Sequence, residues 1–109
     1  MPKKSSRKET TLHVAETILQ QLGGAGHLQA MIGAKQFVGD ELMLQFKWSA
    51  KARGGMNTVV ISLEPTDTYR VEFYKIRGAD SRLIESRSGV YADGLARLFE
   101  NTTGLYIRL

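Results

Sequence analysis

The chain has 109 residues, of which 42% are hydrophobic and 24% charged, so it suits one folded domain and is too apolar for a disordered segment. It contains no cysteine, which excludes disulfides and thiol chemistry and favours a cytoplasmic protein. No apolar run approaches the roughly 18 residues that cross a bilayer, so we expect no membrane partner.

The excess of positive charge is concentrated near the start of the chain. The formal net charge is +4, and four residues account for all of it: Lys3, Lys4, Arg7 and Lys8. We therefore expect residues 1–8 to form a flexible basic tail and residues 9–109 to form a single domain that is neutral overall. Such a tail improves solubility or adds sequence-independent attraction to phosphates.

The first periodic segment is residues 9–22. Its apolar residues recur at three- and four-residue spacing, which predicts an amphipathic helix: Leu12, Ala15, Ile18, Leu19 and Leu22. The glycines of residues 22–26 then predict a helix end and a hinge. They are not a phosphate-binding loop, because no strand precedes them and no Gly-Lys-Ser/Thr follows.

Alternating apolar and polar residues predict three strong strands. The first covers residues 42–48 after a turn at Gly39-Asp40-Glu41, and its phase places Trp48 in the core. The second and third are residues 58–64 and 69–74, joined by the Pro65 turn. Residues 31–38 fit either a hairpin partner of the first strand or a short helix, and we favour the strand. The polar residues 82–87 predict a shorter edge strand.

The C-terminal segment, residues 89–109, predicts a helix and a short final element. One helical face would contain Tyr91, Leu95, Leu98, Phe99 and Thr102, and Gly104 would end the helix. The last residues fit a short strand or a tail packed on the core. The chain is therefore predicted to be α+β: an antiparallel meander of about four strands with an N-terminal helix and a C-terminal helix packed on it.

This meander predicts a separation of charge, because successive turns of a meander lie at alternate ends of the sheet. The loop at residues 49–57 and the turn at residues 78–81 would share one end. The cations predicted there as nucleic-acid-binding residues are Lys51, Arg53, Lys75, Arg77 and Arg82. Cations of this kind bind the phosphates of DNA or RNA, and nearby aromatic rings such as Tyr74 can stack on bases.

Residue types that support catalysis are sparse. His13 and His27 lie 14 residues apart, and neither has Cys, Asp or Glu at a spacing typical of a metal site. We find no nucleophile motif and no cofactor-binding motif. The sequence therefore predicts a protein that is not an enzyme and has no catalytic, cofactor-binding or metal-binding residues.

Four segments of residues 31–109 resemble a family of small uncharacterised bacteriophage and prophage proteins. They are "GAKQFV", "MNTVVISL", "DTYRVEFYKIRG" and "GVYADGLARLFENTTGLYIRL". They are similar to that family's Gly-Ala-Lys turn, its Asn-x-Val-x-Ile strand, its Asp-x-Tyr-x-Val-x-Phe strand with a Lys-Ile-Arg-Gly end, and its Thr-Gly-Leu-Tyr terminus. The resemblance implies an accessory protein in the cytoplasm of a bacterial host, and it implies no activity, cofactor or catalytic residue.

Two functions remain open from the sequence. The first is a small accessory protein that contacts nucleic-acid phosphates through the basic hairpin end. The alternative is a protein-interaction factor that inhibits or redirects a host bacterial protein, using the same cations on an acidic surface. The oligomeric state is open as well.

Overall fold

The computed structural model describes residues 13–108, and the predicted basic tail at residues 1–8 lies outside this range. Within it there are three helices: α1 at residues 13–21, α2 at Ala25–Ile32 and α3 at Leu95–Thr103. The same residues contain five strands: β1 Lys35–Asp40, β2 Met43–Lys47, β3 Thr58–Leu63, β4 Tyr69–Arg77 and β5 Asp80–Val90.

The five strands form one antiparallel sheet in the order β1-β2-β3-β4-β5, so the predicted meander and the α+β class are confirmed. The strand count is five rather than about four, because the segment before β2 does pair with it. Asp40 lies opposite Met43, which places the hairpin turn at Glu41 and Leu42. Leu42, predicted to start the apolar face of β2, is instead a turn residue and is half exposed.

Helix α2 was missing from the prediction, which placed a helix end and hinge at residues 22–26 and favoured a strand from residue 31. Leu28 and Ile32, four residues apart, are its buried side chains. Gly33 then ends the helix in the left-handed conformation, with φ of 68°. The Gly33 and Ala34 N–H groups donate to the carbonyls of Gln29 and Leu28, which closes the last turn. Residues 31–38 are therefore divided between the end of α2 and the start of β1.

The hydrophobic core lies on one face of the sheet, which we call the helix side. All three helices contribute buried residues to it, among them Ile18, Leu28 and Phe99. Trp48 is 2% exposed, so its predicted place in the core is confirmed. On the opposite face, the open side, alternate residues of β2 remain partly exposed.

The chain after β5 differs from the prediction before α3 and agrees with it after α3, where Gly104 ends the helix in the left-handed conformation. A short 3-10 turn at Ala92–Gly94 precedes the helix. Tyr91, predicted on the apolar face, lies before this turn and is 69% exposed. After Gly104 the chain is extended but joins no strand, and Ile107 is buried at 1% exposure, so the last residues form the packed tail.

Candidate nucleic-acid interface

The turns of the meander separate the charges of the domain between the two ends of the sheet. The loop between β2 and β3 and the turn between β4 and β5 share one end, as expected from the alternation of an antiparallel meander. This basic end carries Lys35, Lys47, Lys51, Arg53, Lys75, Arg77 and Arg82, with Asp80 as its acid. The opposite, acidic end carries Asp40, Glu41, Glu64 and Asp67, with Arg70 nearby.

At the basic end, the β4–β5 hairpin is longer than the rest of the sheet. The last residues aligned across β2, β3 and β4 are Lys47, Thr58 and Tyr74. Beyond that row, β4 is paired with β5 alone, from Lys75 opposite Arg82 to Arg77 opposite Asp80. We call this overhanging part, residues 75–82, the arm. Three of the five predicted cations therefore lie on one short hairpin.

These three cations also share a face. Phe73 points into the core, and side chains alternate along a strand, so Lys75 and Arg77 point to the helix side. Residues opposite each other in an antiparallel pair share a face, which places Arg82 and Asp80 there too. Together with Ser81 at the end of the hairpin, whose side chain alternates to the open side, these residues line a pocket of about 380 Å³.

None of the three cations is neutralised by a direct ion pair within residues 13–108. Asp80 lines the same surface but does not come within ion-pair distance of Arg77, its neighbour across the hairpin. The Lys75 side chain lies against Gly55, where a Cβ atom would come 3.2 Å from Lys75 Cε. The arm therefore presents three cations and one acid on a single face.

The base of the arm is fixed by Asn57, which sequence reasoning did not single out as a functional residue. Its side-chain Nδ2 donates to the Ile76 carbonyl at 2.8 Å, and the Ile76 N–H donates to its Oδ1 at 3.0 Å. The Asn57 side chain thus makes the two hydrogen bonds to Ile76 that the backbone of another strand residue would make if β3 were longer. An Asn after two glycines is an ordinary turn residue, so the sequence carried no signal for this contact.

The other two predicted cations are placed differently. Arg53 begins a 3-10 turn, and its Nη1 donates to the Asn101 carbonyl, 2.8 Å away, near the end of α3. A guanidinium at this position donates a hydrogen bond to a carbonyl that has no partner within the helix, and its positive charge interacts favourably with the negative end of the helix dipole. Lys51 is exposed in the loop between β2 and β3, and no ion pair joins it to the arm.

Two lysines lie at the basic end, as the arm does, but on the open side of the sheet. Lys35 and Lys47 are opposite each other across β1 and β2, in the row that continues through Thr58 to Tyr74. The pKa of the Tyr74 hydroxyl is raised, first by burial and then by the charge of Glu72 and its hydrogen bond. Sequence reasoning missed Lys35, because its place depends on the pairing of β1.

His27 lies on α2, beside the C-terminal tail. His27 Nε2 is hydrogen-bonded to the Ile107 carbonyl, and among residues 13–108 no carboxylate side chain lines the shallow pocket beside it. In the part of the chain that the structure describes, no group of three His, Asp or Glu side chains could hold a metal ion. No helix among these residues is long and apolar enough to cross a membrane.

Comparison with known proteins gives no match: no family model, no curated protein and no solved structure corresponds to this chain. The resemblance to phage proteins therefore stays a prediction.

Proposed function

We propose that the protein binds nucleic acid through the helix side of the arm, with Lys75, Arg77 and Arg82 contacting phosphates. The observation that supports this proposal most directly is the grouping of these three cations, free of ion pairs within residues 13–108, on one face of an overhanging hairpin. The arm stands at the basic end of a domain whose opposite end is acidic. Such a charge separation steers an anionic chain toward one end.

The chemistry of this face favours contacts to phosphates over contacts to bases. The side chains that line it are cationic or short and polar, together with Asp80, and none of them is aromatic. Tyr74, the nearest ring along β4, points to the open side. We therefore expect little sequence preference and strong dependence on salt concentration, because cations that bind phosphates displace condensed counterions.

We propose further that this binding serves a phage-type accessory protein in the cytoplasm of a bacterial host. The four segments that resemble phage proteins support this part of the proposal, and one of them contains Lys75 and Arg77.

The test is fluorescence anisotropy with labelled single-stranded DNA, RNA and duplex DNA of about 20 nucleotides, at salt concentrations from about 50 to 200 mM. We expect Kd to rise steeply with salt. The double variant Lys75→Gln with Arg77→Gln should bind at least about tenfold more weakly at low salt, and its slope of log Kd against log salt should fall by about 1.5.

The matched control is Lys35→Gln with Lys47→Gln. It removes two cations from the same end but from the open side, and we expect it to keep most of the affinity. Equal losses in both double variants would contradict the assignment to the arm. No binding of any probe at about 50 mM salt would overturn the function and would favour the acidic-protein partner considered from the sequence.

A further inference from the structure

The outer edge of β5 is a long stretch of strand without a neighbour in the part of the chain that the structure describes. β5 runs over 11 residues and pairs with β4 along one edge. Within residues 13–108 no strand pairs with its other edge. Backbone N–H and C=O groups along such an edge are a template for another strand.

The sequence of this strand is complementary to itself in charge. Residues 80–87 are "DSRLIESR". Laid antiparallel on a second copy, they place Asp80 opposite Arg87, Ser81 opposite Ser86, and Arg82 opposite Glu85. We propose that β5 pairs in this register with β5 of a second copy, which joins two five-stranded sheets across a two-fold axis. In this pair Arg82 faces Glu85 of the second copy, so Lys75 and Arg77 are the cations of the arm that stay open to phosphates.

A bulge in β5 makes this register possible. Facing residues of an antiparallel pair must lie on the same side of the sheet, and in a regular strand Arg82 and Glu85, three residues apart, would lie on opposite sides. In β5, however, Glu85 is opposite Phe73 and Leu83 is opposite Tyr74, so Ile84 is an extra residue. The alternation of β5 side chains between the two sides of the sheet is therefore shifted by one residue at Ile84.

As a result, all four charged residues of the segment lie on the helix side. Val71, Phe73, Lys75 and Arg77 of β4 fix this placement, since their partners are Arg87, Glu85, Arg82 and Asp80 in that order. The two serines lie together on the open side, opposite Glu72 and Ile76. The proposed register therefore matches both the sign of each charge and the side of the sheet on which it lies.

The residues near the proposed two-fold axis are apolar. Leu83 is 49% exposed on the open side, and in the proposed register Leu83 and Ile84 of each copy lie next to the axis. Within one chain, Glu85 bonds Arg87 at 3.2 Å, an ion pair whose two side chains remain 37% and 59% exposed. Exposed pairs of this kind contribute little to stability, so Glu85 can exchange it for Arg82 of the second copy at little cost.

Charged residues on an edge strand can also prevent pairing, and that role predicts a monomer. Sedimentation velocity without nucleic acid, from about 5 to 500 µM protein, separates the two outcomes. We expect concentration-dependent dimers. Arg82→Glu alone and Glu85→Arg alone should each weaken dimerisation about tenfold or more, because the two-fold axis turns two attractive pairs into two repulsive ones.

Two further samples restore attraction between residues 82 and 85 across the two-fold axis. The double variant Arg82→Glu with Glu85→Arg should dimerise again. An equimolar mixture of the two single variants should also dimerise, since each copy then supplies the charge that the other lacks. Arg97→Glu on α3 is the control for net charge, and circular dichroism checks that every variant is folded. A monomer at all concentrations, or a dimer indifferent to these exchanges, would overturn the proposal, whatever the outcome for nucleic acid.

Discussion

Glu100 and Arg108 form an ion pair that holds the C-terminal tail on α3. Glu100 Oε1 accepts from Arg108 Nη2 at 2.7 Å and from Nε at 2.9 Å. Its Oε2 accepts from the backbone N–H groups of Ile107 and Arg108, both at 2.8 Å. The Glu100 side chain is 8% exposed. One nearly buried carboxylate thus receives four hydrogen bonds and fixes the position of Ile107 in the core.

This arrangement predicts a pH-dependent contribution to stability. Burial by itself raises the pKa of Glu100, but the hydrogen bonds from the Arg108 side chain, from the backbone of Arg108 and Ile107, and the Arg108 charge lower that pKa below its ordinary value. Because the folded-state pKa is lower than the unfolded one, the carboxylate stabilises the fold fully above the unfolded pKa. The contribution is lost as the pH falls through the folded-state pKa.

We therefore expect Glu100→Gln to lower the free energy of unfolding by about 1.5 to 3 kcal/mol at neutral pH. The difference from the parent protein should shrink below about pH 4. Urea unfolding followed by Trp48 fluorescence measures both. Glu64→Gln is the control, since its partner Arg70 has a side chain that is 50% exposed, and we expect a loss below about 1 kcal/mol. A Glu100→Gln deficit that stays constant with pH would contradict the assignment.

The meander could be predicted from the sequence because β2, β3 and the first half of β4 each carry apolar residues at every second position, where they face the core. Helix α2 could not, because it has only eight residues, begins among glycines, and depends on the burial of Leu28 and Ile32 by distant parts of the chain. β1 was only partly predictable. Its ladder is irregular between Lys35 and Val38, where Gln36 has φ of 55°, and this breaks the alternation of the strand.

The candidate site was likewise predictable from the sequence only in part. That the loop after β2 and the turn after β4 share an end follows from topology alone, so the basic end was accessible to sequence reasoning. The role of Arg53 was not, because the carbonyl that it contacts is 48 residues away in the chain. The length of the arm was hidden for a related reason. Only the register shows that β4 continues past the first residue of β3.

Gly33 and Gly26, at opposite ends of α2, are expected to respond differently to alanine. Gly33 has φ of 68°, and a Cβ atom there would come 2.1 Å from Ser49 Oγ, whereas nothing lies within 4 Å of a Cβ at Gly26. We expect Gly33→Ala to destabilise the protein by about 1 to 3 kcal/mol, through backbone strain and the clash. Gly26→Ala should stabilise it by about 0.5 kcal/mol. Urea unfolding measures both, and a Gly33→Ala variant as stable as the parent would refute the argument.

We expect Asn57 to hold the base of the arm in place, although its side chain carries no charge. Asn57→Ala leaves the Ile76 N–H and carbonyl without their side-chain partners, and both bonds are partly buried. We expect a loss of about 1 to 2 kcal/mol in the free energy of unfolding. Amide exchange at Ile76 should become faster. Asn101→Ala is the control, because the contact there uses the backbone carbonyl of Asn101, which the substitution retains. Unchanged exchange at Ile76 would contradict the anchoring role.

Arg53 and Arg77 should separate stability from binding, although each substitution removes one cation from the same end of the sheet. Arg53→Gln removes the hydrogen bond to the Asn101 carbonyl at the end of α3, so we expect it to lower the free energy of unfolding by about 0.5 to 1 kcal/mol. Its effect on nucleic-acid affinity should be small. Within residues 13–108 Arg77 makes no such hydrogen bond, so Arg77→Gln should leave the free energy of unfolding within about 0.5 kcal/mol of the parent.

The same Arg77→Gln substitution should weaken nucleic-acid binding severalfold and reduce the salt slope by about 0.7 to 0.9, the share of one phosphate contact. Urea unfolding and anisotropy on the same two samples give the comparison. If Arg53→Gln costs as much affinity as Arg77→Gln, the guanidinium at α3 also reaches the nucleic acid, and binding would not be confined to the arm. If Arg77→Gln changes neither the affinity nor the slope, the arm does not hold phosphates.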